Sequence, residues 1–377
     1  MAEFLSPYET SKLLEGVIPA EKVARPNWLQ SAFGTVTTRD TETVNFDVEF
    51  ATKNTPAMYV APNADAPLIQ LQGYGTKELR FAYVKEGLSS PDYEEINFRQ
   101  MGQQFGQVDI MANWVANVRK KLTVTEANFE NLFELNASNL IFTGVHTAES
   151  EKHPKVYYDF ARTKVTTDAG YLAGNVPEID LTTLNGNGGV GKRAWGSTGG
   201  TAAPTPYRDF VKACQTSLRK GPIRAAVLSG DAYELLEADI TANFSSAADL
   251  TKAVEARIEL KILPTIEKYQ DLNFRRSIPI GQGMFVDVFT YDAIYHNRTT
   301  GVAAKFVPDG YMAILPSSDK GIKIYGRIMH LKARYAAMPR FVNTWIDPKS
   351  DKMESEIHCN YLMGFSDIDA VVAWKVK

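Results

Sequence analysis

The amino-acid sequence predicts an α+β protein in which strands gather near both ends of the chain. Three observations lead to this fold class. Residues 44–50 alternate apolar and polar side chains, which is typical of a strand with one buried face. Residues 108–135 carry apolar side chains mostly three or four positions apart, which is typical of a helix. After residue 206, short helical patterns alternate with short apolar strands.

The length and composition indicate an ordinary folded chain. It has 377 residues, of which 44% are hydrophobic and 23% charged, so a sizeable core can form without covalent cross-links. Lys and Arg together number 41 and Asp and Glu 44, which gives a formal charge of −3. This balance excludes a strongly basic protein that coats nucleic acid by charge alone. It also excludes a long, acidic, disordered chain.

The cysteines and the N-terminus bear on the compartment. The two cysteines, Cys214 and Cys359, lie far apart in sequence, which excludes a disulfide framework or a cysteine-rich zinc site. The N-terminus has no basic segment followed by an apolar one, so no signal peptide is expected. No apolar run reaches about 18 residues, so no membrane span is expected. We therefore expect folding in a reducing cytoplasm.

Residues 1–50 have the character of an extended arm. Trp28 lies in its middle, and the strand predicted at Val44–Phe50 closes it. The segment 52–67 is interrupted by three prolines, which excludes a central strand because proline lacks the backbone N–H that a ladder needs.

Residues 68–105 contain an unusual hairpin. Two short strands are predicted, at 68–72 and 79–84, with a flexible turn at Gly73–Thr76 between them. Few residues here could build a core, and an isolated hairpin is only marginally stable in water. We expect this hairpin to lie on another surface, either of this chain or of a neighbouring one.

The clearest long helix is predicted over Val108–Leu135. Asp109 can cap its N-terminus, because a carboxylate accepts hydrogen bonds from the free backbone N–H groups there. Asn136 or Gly144 can mark its end. A strand follows at Val156–Phe160.

The segment 186–206 changes composition, since seven of its 21 residues are glycine. This richness predicts an exposed or flexible loop. The chain then turns to an α/β pattern. Helices are predicted at 207–220, 231–236 and 247–260, and strands at 225–228, 284–289, 312–315, 323–325, 356–362 and 370–374.

Gly186–Arg193 resembles a phosphate-binding loop but departs from it at one position. The stretch contains Gly-x-Gly-x-x-Gly and ends in Gly-Lys-Arg. A P-loop needs Ser or Thr after its lysine to hold Mg²⁺, and Arg193 stands there instead. The segments on either side are also poor candidates for the strand and helix that converge on phosphate. A flexible loop is the favoured interpretation.

A histidine and glutamate cluster between residues 146 and 153 has the residue types of a metal site. His146 and His153 flank Glu149 and Glu151. The polar run between them and the following Pro154 favour a solvated loop, and a metal site needs ligands held in fixed geometry. We therefore predict no metal site, no catalytic residue and no cofactor.

Four stretches point to a known family in their order along the chain. Tyr59–Lys85 includes a Gly-Tyr-Gly turn. Lys305–Leu315 contains an aromatic residue followed by Pro-Asp-Gly, and it leads into a predicted strand. Pro339–Pro348 contains a tryptophan and ends in Asp-Pro, and Leu362–Val372 is an apolar run, an acidic turn and a last strand. Together these stretches resemble the major capsid proteins of tailed phages, the lambda gpE-like family.

The resemblance implies the Hong Kong 97-type (Johnson) capsid fold and a division of the chain. The long helix becomes the spine helix, and the unsupported hairpin becomes an extended loop that packs across a neighbouring subunit. The implied units are an N-terminal arm (1–50), an extended E-loop (51–105), a P-domain with the spine helix and the glycine-rich insertion (106–222), an A-domain (223–345) and C-terminal return strands of the P-domain (346–377).

The function implied by the resemblance is structural and not enzymatic. The chain would self-assemble through hexamers and pentamers into an icosahedral shell that encloses double-stranded DNA without sequence-specific binding or a membrane. Portal and scaffold proteins are the implied partners, with a decoration protein as a further candidate. The location would be the virion, after synthesis in the host bacterial cytoplasm. Candidate inter-subunit contacts are Trp28, Gly73, Tyr74, Gly75, Phe81, Tyr83 and Lys85.

Two alternatives remain open at this point. An encapsulin-like nanocompartment shares the implied fold, and it would enclose cargo in place of DNA. A nucleotide-dependent enzyme would use the Gly186–Lys192 loop, and it would lose ATP or GTP binding on Lys192→Ala.

Overall fold

The structure is a computed structural model of the chain. The helix predicted at 247–260, the strand predicted at 68–72 and most of the Gly186–Arg193 stretch lie outside the residues that it describes. The described residues are 27–49, 74–89, 110–150, 153–184, 193–197, 205–243, 272–281, 283–298, 300–347 and 352–377.

The longest element is helix α1, Ile110–Thr143, which confirms the predicted long helix and extends it at its C-terminal end. Its 34 residues span about 50 Å at about 1.5 Å per residue. Gly144 follows the last turn with φ of 71°, a left-handed conformation that favours glycine and ends the helix. The buried guanidinium of Arg162 donates to the carbonyl oxygen of Ile141 at 2.7 Å, which satisfies part of the free helix end.

The first sheet is organised around the long strand β17, Lys352–Phe365. Strands β16 (Phe341–Asp347) and β15 (Gly321–Tyr325) pair with one edge of β17, and β4 (Ala82–Ser89) pairs with the other edge. Strand β1, Thr35–Thr38, lies parallel to β15 at the outside of the sheet. The strands predicted at 323–325 and 356–362 are thereby confirmed and lengthened.

A separate two-stranded ribbon consists of β2, Thr43–Glu49, and β3, Tyr74–Arg80. Strand β2 confirms the strand predicted at 44–50. The turn predicted at Gly73–Thr76 is wrong for Tyr74, Gly75 and Thr76, because all three belong to β3. Glycine and threonine mimic turn chemistry locally, whereas the distant strand β2 supplies backbone hydrogen bonds to this segment.

The second sheet has seven strands and mixes parallel and antiparallel neighbours. The strands predicted near 225–228, 284–289, 312–315 and 370–374 all belong to it. In spatial order its strands are β10 (Leu272–Gly281), β11 (Met284–Tyr291), β9 (Ile223–Leu228), β14 (Tyr311–Pro316), β18 (Val372–Lys375), β8 (Glu178–Asp180) and β7 (Lys164–Val165).

Helices cover both faces of the seven-stranded sheet. Alternate residues of β9 show this, since Ala225 and Val227 pack with α1, whereas Ala226 and Leu228 pack with two later helices. The helix predicted at 231–236 is confirmed and lengthened, since it runs from Gly230 to Asn243. The remaining helices are α2 (Asp168–Ala173), α3 (Pro206–Leu218), α4 (Gly230–Asn243) and the 3-10 helices Leu29–Ala32 and Ile368–Ala370.

Two further hairpins lie beside these layers. Strands β12 (Ile294–His296) and β13 (Ala303–Lys305) form one, and β5 (Val145–Ser150) and β6 (His153–Asp159) form the other. The second corrects the solvated loop predicted around residues 146–153. Polar residues dominate that sequence, but its strands pair directly after α1 and bring His146 into the core.

The glycine-rich segment is anchored to the core at Trp195. At this residue the exposed loop predicted for 186–206 is wrong, because the Trp195 side chain is only 2% exposed. Its indole N–H donates to the buried Asp209 carboxylate at 3.0 Å, and its backbone N–H donates to the carbonyl oxygen of Val376 at 2.7 Å. A large aromatic side chain inside a glycine-rich sequence is the signal for such an anchor.

We expect Trp195→Phe to lower the free energy of unfolding by about 1–3 kcal/mol. Phenylalanine keeps most of the apolar contact, but the buried Asp209 carboxylate loses one hydrogen-bond donor. Urea denaturation of the variant beside the parent chain measures the difference. An unchanged unfolding midpoint would show that the indole N–H contributes nothing to the anchor.

Candidate inter-subunit surface

The ribbon β2–β3 forms a two-stranded sheet of its own, separate from the two larger sheets. Its strands pair from Thr43 opposite Arg80 to Glu49 opposite Tyr74. At its base, Val44 and Leu79 lie directly opposite each other and are buried. A two-stranded ribbon is marginally stable alone, so its outer part needs a further surface.

The base of the ribbon is held by a small apolar cluster. Val44 and Leu79 pack with Phe81 and with Ile324 and Leu362 of the first sheet. The hydroxyl of Tyr158 also accepts a hydrogen bond from the backbone N–H of Arg80. This cluster fixes where the ribbon leaves the protomer.

Phe81 is the bend between the ribbon and the first sheet, since it lies between β3 and β4. Its ring lies against Gly326 so closely that a Cβ atom there would be 2.8 Å from the ring. A side chain at that position would therefore push the bend away from the sheet. Beyond the bend, β4 pairs along β17 and makes the attachment continuous.

Tyr83 and Lys85 lie on β4, next to the buried His358 of β17. The Tyr83 hydroxyl is 2.9 Å from the His358 Nδ1 atom, and the Lys85 amino group lies 5.8 Å from the centre of the Tyr83 ring. Burial raises the pKa of the Tyr83 hydroxyl above its ordinary value. Lys85 is exposed, whereas the Tyr83 hydroxyl is engaged within its own protomer.

The other predicted contact residues fall into three groups. Gly73 lies outside the described residues, and Tyr74 and Gly75 lie in β3. Phe81 and Trp28 are buried in their own protomer, at 7% and 6% exposure. The contact hypothesis therefore rests on the ribbon itself and on Lys85.

A buried glutamate in α1 docks the arm, and the sequence prediction missed it. The Glu134 carboxylate accepts from the backbone N–H of Leu29 at 2.8 Å and of Gln30 at 3.1 Å. It thus caps the 3-10 helix of the arm, whose free N–H groups favour a negative charge. Desolvation by burial raises the pKa of Glu134 to about 7 against the effect of these donors. An acidic residue directly after Phe133 in the apolar stripe was the available signal.

Basic side chains surround this docking site. The Arg340 guanidinium joins Glu126 and Glu130 of α1 at 2.8 and 2.6 Å. The amino group of Lys323 lies 3.7 Å from the centre of the Phe133 ring, and burial lowers its pKa to about 8. These groups tie the first sheet to the same stretch of α1 that holds the arm.

Trp28 and Ser31 connect the arm to the seven-stranded sheet. The Trp28 ring lies 5.2 Å from the Phe289 ring, centre to centre. The Arg224 guanidinium donates to the Ser31 carbonyl oxygen and, at 2.9 Å, to its hydroxyl. The arm therefore bridges α1 and both sheets.

His146 is fully buried beside the Tyr361 ring, with ring centres 6.2 Å apart. Among the described residues, neither of its ring nitrogens has a hydrogen-bond partner. Desolvation by burial lowers the pKa of His146 to about 4. The imidazole is therefore neutral in the folded chain at neutral pH.

We expect His146→Leu to raise the free energy of unfolding by about 1–3 kcal/mol, because an unpaired buried N–H is replaced by an apolar group of similar size. In the parent chain, the ordinary pKa of 6.5 is depressed to about 4 on folding. The contribution of the neutral His146 to the free energy of unfolding is therefore fully present above pH 6.5 and is lost as the pH falls through 4. Urea titrations across this range measure both effects. A variant that keeps the acid slope would contradict the assignment to His146.

The glycine-rich candidate for phosphate binding is engaged within its own protomer at its described end. Arg193 pairs with Asp168 at 2.8 Å and lies 4.6 Å from the centre of the Tyr171 ring. In the described part of the chain, no three His, Cys, Asp or Glu side chains gather as metal ligands. No helix among the described residues is long and apolar enough to cross a membrane.

A long helix that packs against two sheets, beside a docked arm and a separate two-stranded ribbon, is the architecture of a protomer of the Hong Kong 97 type. Residues 219–376 match the model of a family described as phage major capsid protein E.

Known proteins agree with this class over most of the chain. The major capsid protein of Enterobacteria phage P21 is 22% identical over 348 residues, which cover 89% of this chain and 91% of the relative. The P21 prophage-derived major head protein of Escherichia coli strain CFT073 matches equally. The crystal structure assigned as a capsid protein of a prophage in Escherichia coli CFT073 superposes with a TM-score of 0.63 at 16% identity. It covers 97% of this chain and 99% of that one.

The predicted fold class and the predicted resemblance to tailed-phage major capsid proteins are therefore confirmed. The chain is a structural protein of a phage head shell, and its place is the capsid of the virion.

Proposed function

We propose that the chain is the major capsid protein of a tailed bacteriophage and self-assembles into the icosahedral shell around its double-stranded DNA. The ribbon β2–β3 carries this proposal. Among its described side chains, Val44 and Leu79 at the base are the buried ones. Its outer part needs a surface beyond the protomer, and a neighbouring copy supplies one wherever copies repeat by symmetry.

The division into units is part of the same proposal. The arm, the E-loop and the A-domain keep the boundaries 1–50, 51–105 and 223–345. The P-domain comprises 106–222 and the return strands 346–377, a grouping supported by the pairing of β18 with β8 and by the contact of the Phe133 and Tyr361 rings. Each contact between copies can be weak, because the arm and the ribbon of one copy engage several neighbours at once.

The shell's partners follow from its task. Copies group as hexamers and pentamers, a portal closes one vertex, and a scaffold protein guides assembly, with a decoration protein as a further partner. The role needs neither catalysis nor a cofactor. A formal charge of −3 suits a wall that encloses DNA without holding it tightly.

Particles purified from a host that produces the phage test this function. Mass spectrometry should find this chain as the most abundant protein, and nuclease treatment should leave DNA inside the particles intact. Particles that hold a protein cargo and no DNA would support an encapsulin-like compartment instead. ATP or GTP binding that Lys192→Ala abolishes would support the nucleotide-dependent alternative and contradict the structural role.

A further inference from the structure

Helix α3 presents a positively charged outer face. Arg208, Lys212, Gln215 and Arg219 follow at spacings of four, three and four, so they form one stripe along the helix and its last turn. The amino group of Lys212 is engaged within the protomer, where it donates to the Tyr171 carbonyl oxygen, so the free charge of the stripe lies at its two arginines. Arg208 and Arg219 are exposed, and neither has an ion-pair partner among the described residues. The only acidic residue of α3, Asp209, is buried and so adds no negative charge to this face.

Helix α4 presents the opposite charge. It contains Asp231, Glu234, Glu237 and Asp239 and no basic residue. Asp231 pairs with Lys377 at 3.0 Å, and Asp239 accepts from a backbone N–H of α3 at 2.8 Å. Glu234 and Glu237 are exposed and lie three residues apart, so they share one outer face.

This segregation of charge distinguishes the two helices from ordinary solvated helices. A solvated helix face mixes signs, because Glu and Lys side chains at spacings of four stabilise each other. Like charges at such spacings repel, so each of these faces is unfavourable for the isolated protomer. The two helices pack side by side on the same face of the seven-stranded sheet, so one layer carries a basic half and an acidic half.

We propose that the basic face of α3 docks against the acidic face of α4 on the next copy of the chain. Such a contact joins two different surfaces, so its repetition builds a ring of copies when the rotation from one copy to the next closes on itself. The charges also select the correct partner face and speed the encounter, and salt weakens both effects. The inference rests on the proposed shell function and names the surface that joins neighbours within a ring.

Charge reversal on each face separately is the test, with the full chain assembled beside the other head proteins. One variant carries Arg208→Glu and Arg219→Glu, the other carries Glu234→Arg and Glu237→Arg, and a third combines all four changes. Arg119→Glu with Lys120→Glu is the control, because it changes the net charge as the first variant does, on exposed positions of α1. Circular dichroism melting checks folding, and sedimentation measures the yield of particles.

We expect each one-sided variant to lose particle yield at least about tenfold, since like charges now face each other. Mixing the two one-sided variants should restore rings of six, in which they can alternate, but not rings of five, in which one contact between like charges remains. The four-fold variant and the control should assemble like the parent, because opposite charges face each other again in the four-fold variant. One-sided variants that assemble as the parent does would overturn the docking inference and leave the shell function standing. If the four-fold variant fails to assemble while it is folded, the pairing of these two faces is wrong. A parent chain that never assembles would overturn the function and the inference together.

Discussion

We expect that shortening the ribbon abolishes shell formation while the protomer stays folded. The variant lacks residues 46–77 and joins Asn45 to Glu78, which face each other across the ribbon, through an Asn-Gly turn. It keeps the buried pair Val44 and Leu79 at the base. We expect a melting temperature within about 4 °C of the parent, the shift that roughly 1 kcal/mol produces in a large domain. Circular dichroism and electron microscopy measure folding and assembly.

The hairpin β12–β13 offers a matched control for shortening a hairpin. Residues 297–302 are replaced by the same turn, between His296 and Ala303, which also pair across their hairpin. This hairpin is supported within the protomer, where the Tyr295 ring lies 5.1 Å from that of Phe306. The control should assemble. Closed shells from the shortened ribbon at parental yield would refute its role as a contact between copies.

Glu134→Ala should lower the free energy of unfolding by about 2–5 kcal/mol, because the N–H groups of Leu29 and Gln30 lose their acceptor. Amide hydrogen exchange at these two residues should speed up first, since the arm undocks before the core opens. Glu130→Ala is the control: it removes a partly exposed carboxylate one turn away and should cost less than about 1 kcal/mol. Equal losses in the two variants would contradict the docking role of Glu134.

The pH dependence of Glu134 has a definite sign. Its pKa rises from 4.5 to about 7 on folding, so its contribution is fully present below pH 4.5 and is lost as the pH rises through 7. The contribution of His146 to the free energy of unfolding changes in the opposite direction, because it decreases as the pH falls from 6.5 to 4. The parent chain should therefore show a flatter profile than either single variant, and Glu134→Gln should expose the histidine slope.

The local patterns of the sequence were sufficient to predict most helices and strands. Helix α1 carries a sustained apolar stripe, and β2, β9, β11 and β14 carry runs of apolar or alternating residues. The local pattern of each element therefore predicts whether it is a helix or a strand. The order of four degenerate stretches was also sufficient for the family resemblance.

Features that depend on distant partners could not be predicted. The local sequence around Gly75 predicts a turn, but in the structure this residue pairs with β2. The local sequence around His146 predicts a solvated residue, but the hairpin β5–β6 places it against Tyr361. In the sequence, Glu134 only interrupts an apolar stripe. Its role appears when it binds the arm, which lies about 100 residues earlier in the chain. Each is fixed by tertiary pairing rather than by local preference.

Electron microscopy with analytical sedimentation of the chain, produced together with the scaffold and portal proteins of its phage, tests the central claim most directly. We expect closed icosahedral shells of uniform size, with the ribbon β2–β3 of each copy lying on a neighbouring copy. A chain that remains a folded monomer at high concentration, with those partners present, would contradict the account.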